Sequence, residues 1–184
     1  MTTIRESSAL GDIAGRDVNK SYHAAREPTA MGRLVEQYLA ETKADQTLLD
    51  WTEKLEHFFT NETSSDIRDL EEKLNSSGRS DLLKVARLRK QSAWKKIMLL
   101  QGSRSAQTIY SFLLAEVVVN FEQAVVPLVQ AGASRGVVDS AMLDHVITPA
   151  YKILESNPLH LDKLDIQALV YFLAGNCHIR WDPC

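Results

Sequence analysis

From Thr29 onward the apolar residues recur at spacings of three and four, the period of a helix with one buried face. Leu34, Tyr38 and Leu39 share a face, and Leu48, Leu49, Trp51, Leu55, Phe58 and Phe59 continue it. The pattern fits one long helix, or two broken near Thr42 to Gln46. Asn61 to Ser65 reads as a loop, after which Ser65 or Asp66 is suited to cap a short helix carrying Ile67, Leu70 and Leu74. Asn75-Ser76-Ser77-Gly78 ends that helix, with Gly78 suited to a left-handed position.

Ser80 or Asp81 opens the next helix, which runs to about Leu100 and stops at Gly102 and Ser103. The helix predicted from Ser105 to Gln130 is apolar nearly all round, with a narrow polar stripe at Glu116, Asn120 and Gln123. Such a helix belongs in the middle of a bundle. Val137 to Glu155 reads as a helix bent at Pro149, and Asn157-Pro158 as a turn. Asp162 or Asp165 begins a last helix through Ile166, Leu169, Val170 and Leu173, which Gly175-Asn176 stops. No alternating strand pattern of useful length and no internal repeat interrupts this series. The predicted fold is all-α: an irregular bundle of six to seven helices over residues 29–184. Residues 1–28, with Gly11, Asp12, Gly15 and Asp17, are predicted to form a flexible turn-rich arm.

A chain of 184 residues is long enough to bury a core without staples. Its formal net charge of -3 provides no overall field toward DNA or acidic membranes. Cys177 and Cys184 would close only a short tail, so reduced thiols in a cytosolic protein are the simpler expectation. Met1 to Lys20 contains no apolar core of a secretory signal. The most apolar stretch, Phe112 to Val129, is interrupted by Glu116, Asn120, Glu122, Gln123 and Pro127, which favours a buried helix over a membrane span. A cytoplasmic location is expected.

Chemistry has few footholds. Phosphate-loop, dinucleotide, zinc-protease and serine-hydrolase motifs are missing from the sequence. Cys177-His178 offers a thiol and an imidazole, but adjacent side chains usually point apart, and a packed cysteine beside a hydrogen-bonded histidine is the plainer reading. Cys177, His178, Asp182 and Cys184 are zinc-type ligands at a spacing that matches no standard finger or ribbon. Glu116 reads as a buried, hydrogen-bonded structural carboxylate, since no acid or histidine accompanies it. His23, His57, His145 and His160 show no ligand spacing. No catalytic residue, metal or cofactor is expected. On the helix from Asp81 to Leu100, Lys84, Arg87, Gln91 and Lys95 fall on one face, with Arg89, Lys90 and Lys96 on others. That stripe could meet nucleic-acid phosphates; the plainer reading is a solvated face, or one paired with Asp66, Asp69, Glu71 and Glu72. Trp94 beside it suits the core or an interface.

Two segments carry a resemblance. Gly11-Asp12-Ile13-Ala14-Gly15-Arg16-Asp17-Val18 resembles the short "GDIxGRDv" arms that precede domains in bacterial conflict systems. Tyr171-Phe172-Leu173-Ala174-Gly175-Asn176-Cys177-His178-Ile179-Arg180-Trp181-Asp182 is similar to the ending of C-terminal domains from ABC three-component, Lamassu-like anti-phage systems. Those systems pair an SMC-like or ABC ATPase with a middle component and an effector. This sequence departs from the common effector plan, because nothing before residue 30 reads as a nuclease. The resemblance implies a non-enzymatic subunit that binds the ATPase or the effector of its operon and helps control assembly, with self-association and nucleic acid within the complex as further partners. It points to Asn176, His178, Arg180, Trp181 and Asp182 as partner-binding residues, Trp and Arg being frequent interface anchors. The arm would order on a partner, for instance as an added strand. The alternative is a small helical DNA-binding protein using Lys84, Arg87 and Lys95.

Overall fold

A computed structural model of the chain describes residues 29–44, 53–60, 68–154 and 157–181. The predicted arm over 1–28, the loop at Asn61 to Ser65, and Asp182 and Cys184 lie outside the described residues. The described residues form seven helices and no strand, as the apolar spacing predicts.

Helix α1 (Ala30–Ala44) and the single turn α2 (Glu53–Glu56) come first. Helix α3 (Leu70–Ser76) starts later than expected. Its cap is Asp69, not Ser65 or Asp66. Asp69 accepts from the Glu72 amide at 2.8 Å while the Glu72 carboxylate accepts from the Asp69 amide at 3.3 Å. This reciprocal box satisfies two amides that the first turn leaves open, which a lone capping oxygen does not do. At the other end Gly78 has φ +68°. The Arg79 amide then donates to Leu74 O at 2.7 Å and Gly78 N to Asn75 O at 3.1 Å, a Schellman closure.

A 3-10 turn (Ser80–Leu82) leads into α4 (Leu83–Leu99). Helix α5 (Arg104–Gln130) is capped by Ser103, whose side chain accepts from Ala106 N. It bends at Val125, just ahead of Pro127, which cannot donate to the carbonyl of Gln123. Helix α6 covers residues 135–153: an α segment Arg135–Ala141, a π segment Met142–Ile147 and an α segment Thr148–Ile153. The predicted bend at Pro149 takes the form of this wide turn, which makes room where the proline ring would meet the His145 carbonyl. Helix α7 (Lys163–Gly175) begins with a capping box between Asp162 and Asp165.

The main packing pair is α4 on α7, with α5 resting on α1, α2, α6 and α7. On α4 the inward seam is Ala86, Lys90, Ala93 and Ile97, alternating steps of four and three. Its two alanines let the helix axes approach closely. Tyr110, Leu113, Phe121, Leu169 and Phe172 form the centre of the core. Each such side chain stabilises the fold by about 1.5–3 kcal/mol when fully buried. Helix α5 is long and apolar enough by composition to cross a membrane. Here it is a core helix, with Ile109, Tyr110, Leu113, Leu114, Val117 and Phe121 packed inward. Its burial is one-sided, which corrects the expectation of a helix surrounded on all faces: Phe112 and Val119 stay 39% and 46% exposed.

Candidate functional site

The C-terminal turn of α7 gathers most of the residues that the sequence singles out. A helix end leaves its last carbonyls without partners. Here two lysines from other helices supply donors. Lys73 of α3, 4% exposed, donates from Nζ to Ala174 O at 2.7 Å and to Ile179 O at 3.3 Å. Lys90 of α4 donates from Nζ to Gly175 O at 3.0 Å, and burial pushes its ammonium below the usual lysine range. Both cations also face the negative end of the helix dipole. The missing Cβ of Gly175 leaves room for this approach, because a Cβ there would stand 2.6 Å from Lys90 Cδ and displace the lysine side chain.

The chain then closes with a second Schellman turn. His178 N donates to Leu173 O at 2.9 Å and Cys177 N to Ala174 O at 3.4 Å. The left-handed position belongs to Cys177, at φ +67°, where glycine is usual. Asn176 Nδ2 donates to Phe58 O at 2.9 Å. The Cys177 thiol approaches Arg68 O at 3.6 Å, while the His178 ring packs on Phe58 and His57, with centroids 5.4 and 5.2 Å away. The two side chains therefore have separate neighbours, as adjacency implies. Trp181 is 6% exposed and stacks edge-on against Phe121, with Tyr171 beside it. Arg180 is half-buried.

Thus Asn176 and His178 meet at Phe58, Trp181 packs on Phe121 and Tyr171, and all three side chains are committed to the fold. Trp181 is a core residue. Asp182 lies outside the described residues, as does Cys184 of the zinc candidate set. Among the described residues no three metal-type side chains cluster. Glu116 is half-buried, not buried, and accepts from Asn120 at 2.8 Å on its own helix. Sequence spacing did not foresee the meeting of His57 with His178, which joins the turn after α2 to the final turn.

The basic helix divides. Arg87 pairs with Glu71 of the acidic helix α3. Lys96 pairs with Asp165 at 2.6 Å, Arg89 donates to Gln167, and Lys90 faces Gly175. Among the described residues Lys84 and Lys95 have no ionic partner, and both are exposed. They share the outer ridge of α4 with Leu88 and Leu99, 59% and 83% exposed. Beside the ridge Trp94, 46% exposed, borders a cleft of about 390 Å³ with Arg87, Gln91, Phe172 and Asn176. A cleft framed by an exposed tryptophan, one aliphatic residue, Leu88, and cations has the chemistry of an interface and offers no nucleophile–base pair. Lys73 and Lys90 were missed as structural cations. The available signal was their register, since Lys73 falls with Leu70 and Leu74, and Lys90 with Ala86, Ala93 and Ile97.

No curated protein and no solved structure matches the chain. The family model for C-terminal domain 9 of the ABC-three component (ABC-3C) systems matches residues 69–181, from the cap of α3 to the buried Trp181. With well over half of its length matched across the lysine-clamped helix end and the α4 ridge, the chain belongs to that family.

Proposed function

We propose that this chain is a non-enzymatic, cytoplasmic docking component of a Lamassu-like anti-phage system, which binds the SMC-like ATPase or the effector of its operon and controls assembly. Membership of a multi-component family supports partner binding in general. The observation that carries the reading is the outer side of α4: Leu88, Trp94 and Leu99 are 59%, 46% and 83% exposed, while Ala86, Ala93 and Ile97 on the inner face of the same helix are buried. Three large apolar groups on one helix are a natural seat for a partner, and the flanking Lys84 and Lys95 give it polarity and register. Docking on a ridge needs no covalent chemistry, and the lysines beneath it serve as rigid supports.

The nucleic-acid reading is weaker. It used Lys84, Arg87 and Lys95 together, but Arg87 is engaged by Glu71. Two unpaired lysines amount to a small phosphate footprint. The test is affinity capture of the tagged protein from cells carrying its native gene neighbourhood, read by mass spectrometry. Stoichiometric recovery of an ATPase or effector subunit supports docking. Recovery of nucleic acid alone, lost on neutralising Lys84 and Lys95, supports the alternative.

A further inference from the structure

On the opposite side of α4 from Trp94 a groove of about 590 Å³ runs between α4, the π segment of α6 and the first half of α7. Its floor includes Tyr171 and Trp181, so the groove sits directly on the core. Its rim is aliphatic: Val85, Leu143 and Leu164, one from each wall, are 39%, 47% and 58% exposed. Single exposed aliphatics are ordinary, but three converging on one concavity make a patch.

The walls are also cationic. Arg79, Arg89, Arg135 and Lys163 line them, against one carboxylate, Asp139. Part of this charge is already spent. Arg135 is held in a fork by Asp81 at 2.7 and 2.8 Å, and Arg79 by Asp139 at 2.8 Å. Those two arginines and two aspartates cancel. Among the described residues Arg89 donates to the neutral amide of Gln167 and has no ionic partner, and neither has the exposed Lys163. The groove is left with two uncompensated cations, one on α4 and one on α7, between aliphatic edges. The paired aspartates fix the guanidinium planes of Arg79 and Arg135, so these walls are set before anything binds.

We infer that this groove receives an acidic, leucine-type segment of a partner subunit, its aliphatic side chains over Tyr171 and Trp181 and its carboxylates against Arg89 and Lys163. The inference rests on the docking reading and names the chemistry of a second contact. Charge complementarity selects the segment, since a basic segment would face the two uncompensated cations, Arg89 and Lys163, with charge of the same sign. The π turn shapes one wall, as such turns often do at binding sites.

Photo-crosslinking in cells carrying the native gene neighbourhood tests it, with the photoreactive residue placed at Leu164 in one variant and at Leu88 in another. The groove predicts an adduct from Leu164 whose partner peptide, identified by mass spectrometry, is rich in Asp or Glu and in aliphatic residues. Lys163→Glu, at the exposed first position of α7 where a carboxylate suits the helix dipole, is expected to lower that adduct about tenfold. Arg89→Gln should lower it independently. An adduct from Leu88 with none from Leu164 overturns the groove and spares the docking reading. No adduct from either overturns both. A Leu164 adduct to a basic peptide, to nucleic acid or to a second copy of this chain, or one insensitive to Lys163→Glu, also overturns the groove assignment.

Discussion

The ammonium of Lys73 sits 2.7 Å from the carbonyl oxygen of Ala174, a residue 101 positions further along the chain. This contact, repeated on Ile179 O, ties the acidic helix α3 to the end of α7 and to the strand of chain that follows. Lys73→Met keeps the aliphatic stem and removes the donor. It leaves buried carbonyls without partners and should cost about 1–3 kcal/mol. Urea unfolding measures it, and an unchanged midpoint would show that water replaces the lysine.

Cys177 occupies a backbone conformation that a side chain disfavours, at φ +67°. In the same Schellman turn of α3 the position belongs to Gly78. Cys177→Gly relieves the clash between Cβ and the following carbonyl and loses a weak thiol contact to Arg68 O and the thiol's interaction with Lys90. The expected gain is about 1 kcal/mol, which for a chain of this size raises Tm by about 2–4 °C. Cys177→Val should lower Tm, because a β-branched residue tolerates that conformation worst.

Two tryptophans separate packing from docking. Trp181 is 6% exposed against Phe121 and Tyr171, whereas Trp94 is 46% exposed on the ridge. Trp181→Ala should cost about 3–5 kcal/mol. Trp94→Ala should stay within about 0.5 kcal/mol of the parent. Thermal unfolding of the two variants side by side checks the assignment.

Glu41 of α1 reaches the start of α5. Burial by itself would raise its carboxyl, but hydrogen bonds from the Ser105 hydroxyl and amide, the Ser103 hydroxyl and Gln37 outweigh that and hold it below its ordinary value of 4.5. A carboxylate with a depressed folded-state pKa adds stability above 4.5, and the contribution disappears as pH falls through the folded value. Denaturant midpoints followed downward from neutral pH should therefore drop less below about 4.5 in Glu41→Gln than in the parent, although Glu41→Gln starts lower.

Local signals made much of the helical frame legible. Gly78 marks the end of α3, Gly102 and Ser103 the break before α5, Pro149 the irregular turn in α6, and Asp162 the start of α7. Each acts through neighbours within a few residues, so sequence order carries it. The Asp69–Glu72 box was equally local, and the earlier capping candidates concealed it. What spacing could not reveal were contacts between distant segments. Lys90 read as one more charge on the basic helix, and Lys73 was not singled out, because their partners are backbone carbonyls of α7, which leave no mark on residue identity. Trp181 read as a partner-binding anchor because a tail tryptophan looks alike whether it meets a partner or Phe121. The aliphatic rim of Val85, Leu143 and Leu164 comes from three helices and exists only once they pack.

The docking claim is met most directly by affinity capture from the native gene neighbourhood, comparing the parent with a Leu88→Glu, Trp94→Ala double variant. Both substitutions fall on exposed positions, so the two proteins should unfold at closely similar temperatures. The account predicts an ATPase or effector subunit recovered in stoichiometric amount with the parent and reduced at least about tenfold with the variant. Equal recovery with both proteins would contradict it, as would a parent that brings down only nucleic acid.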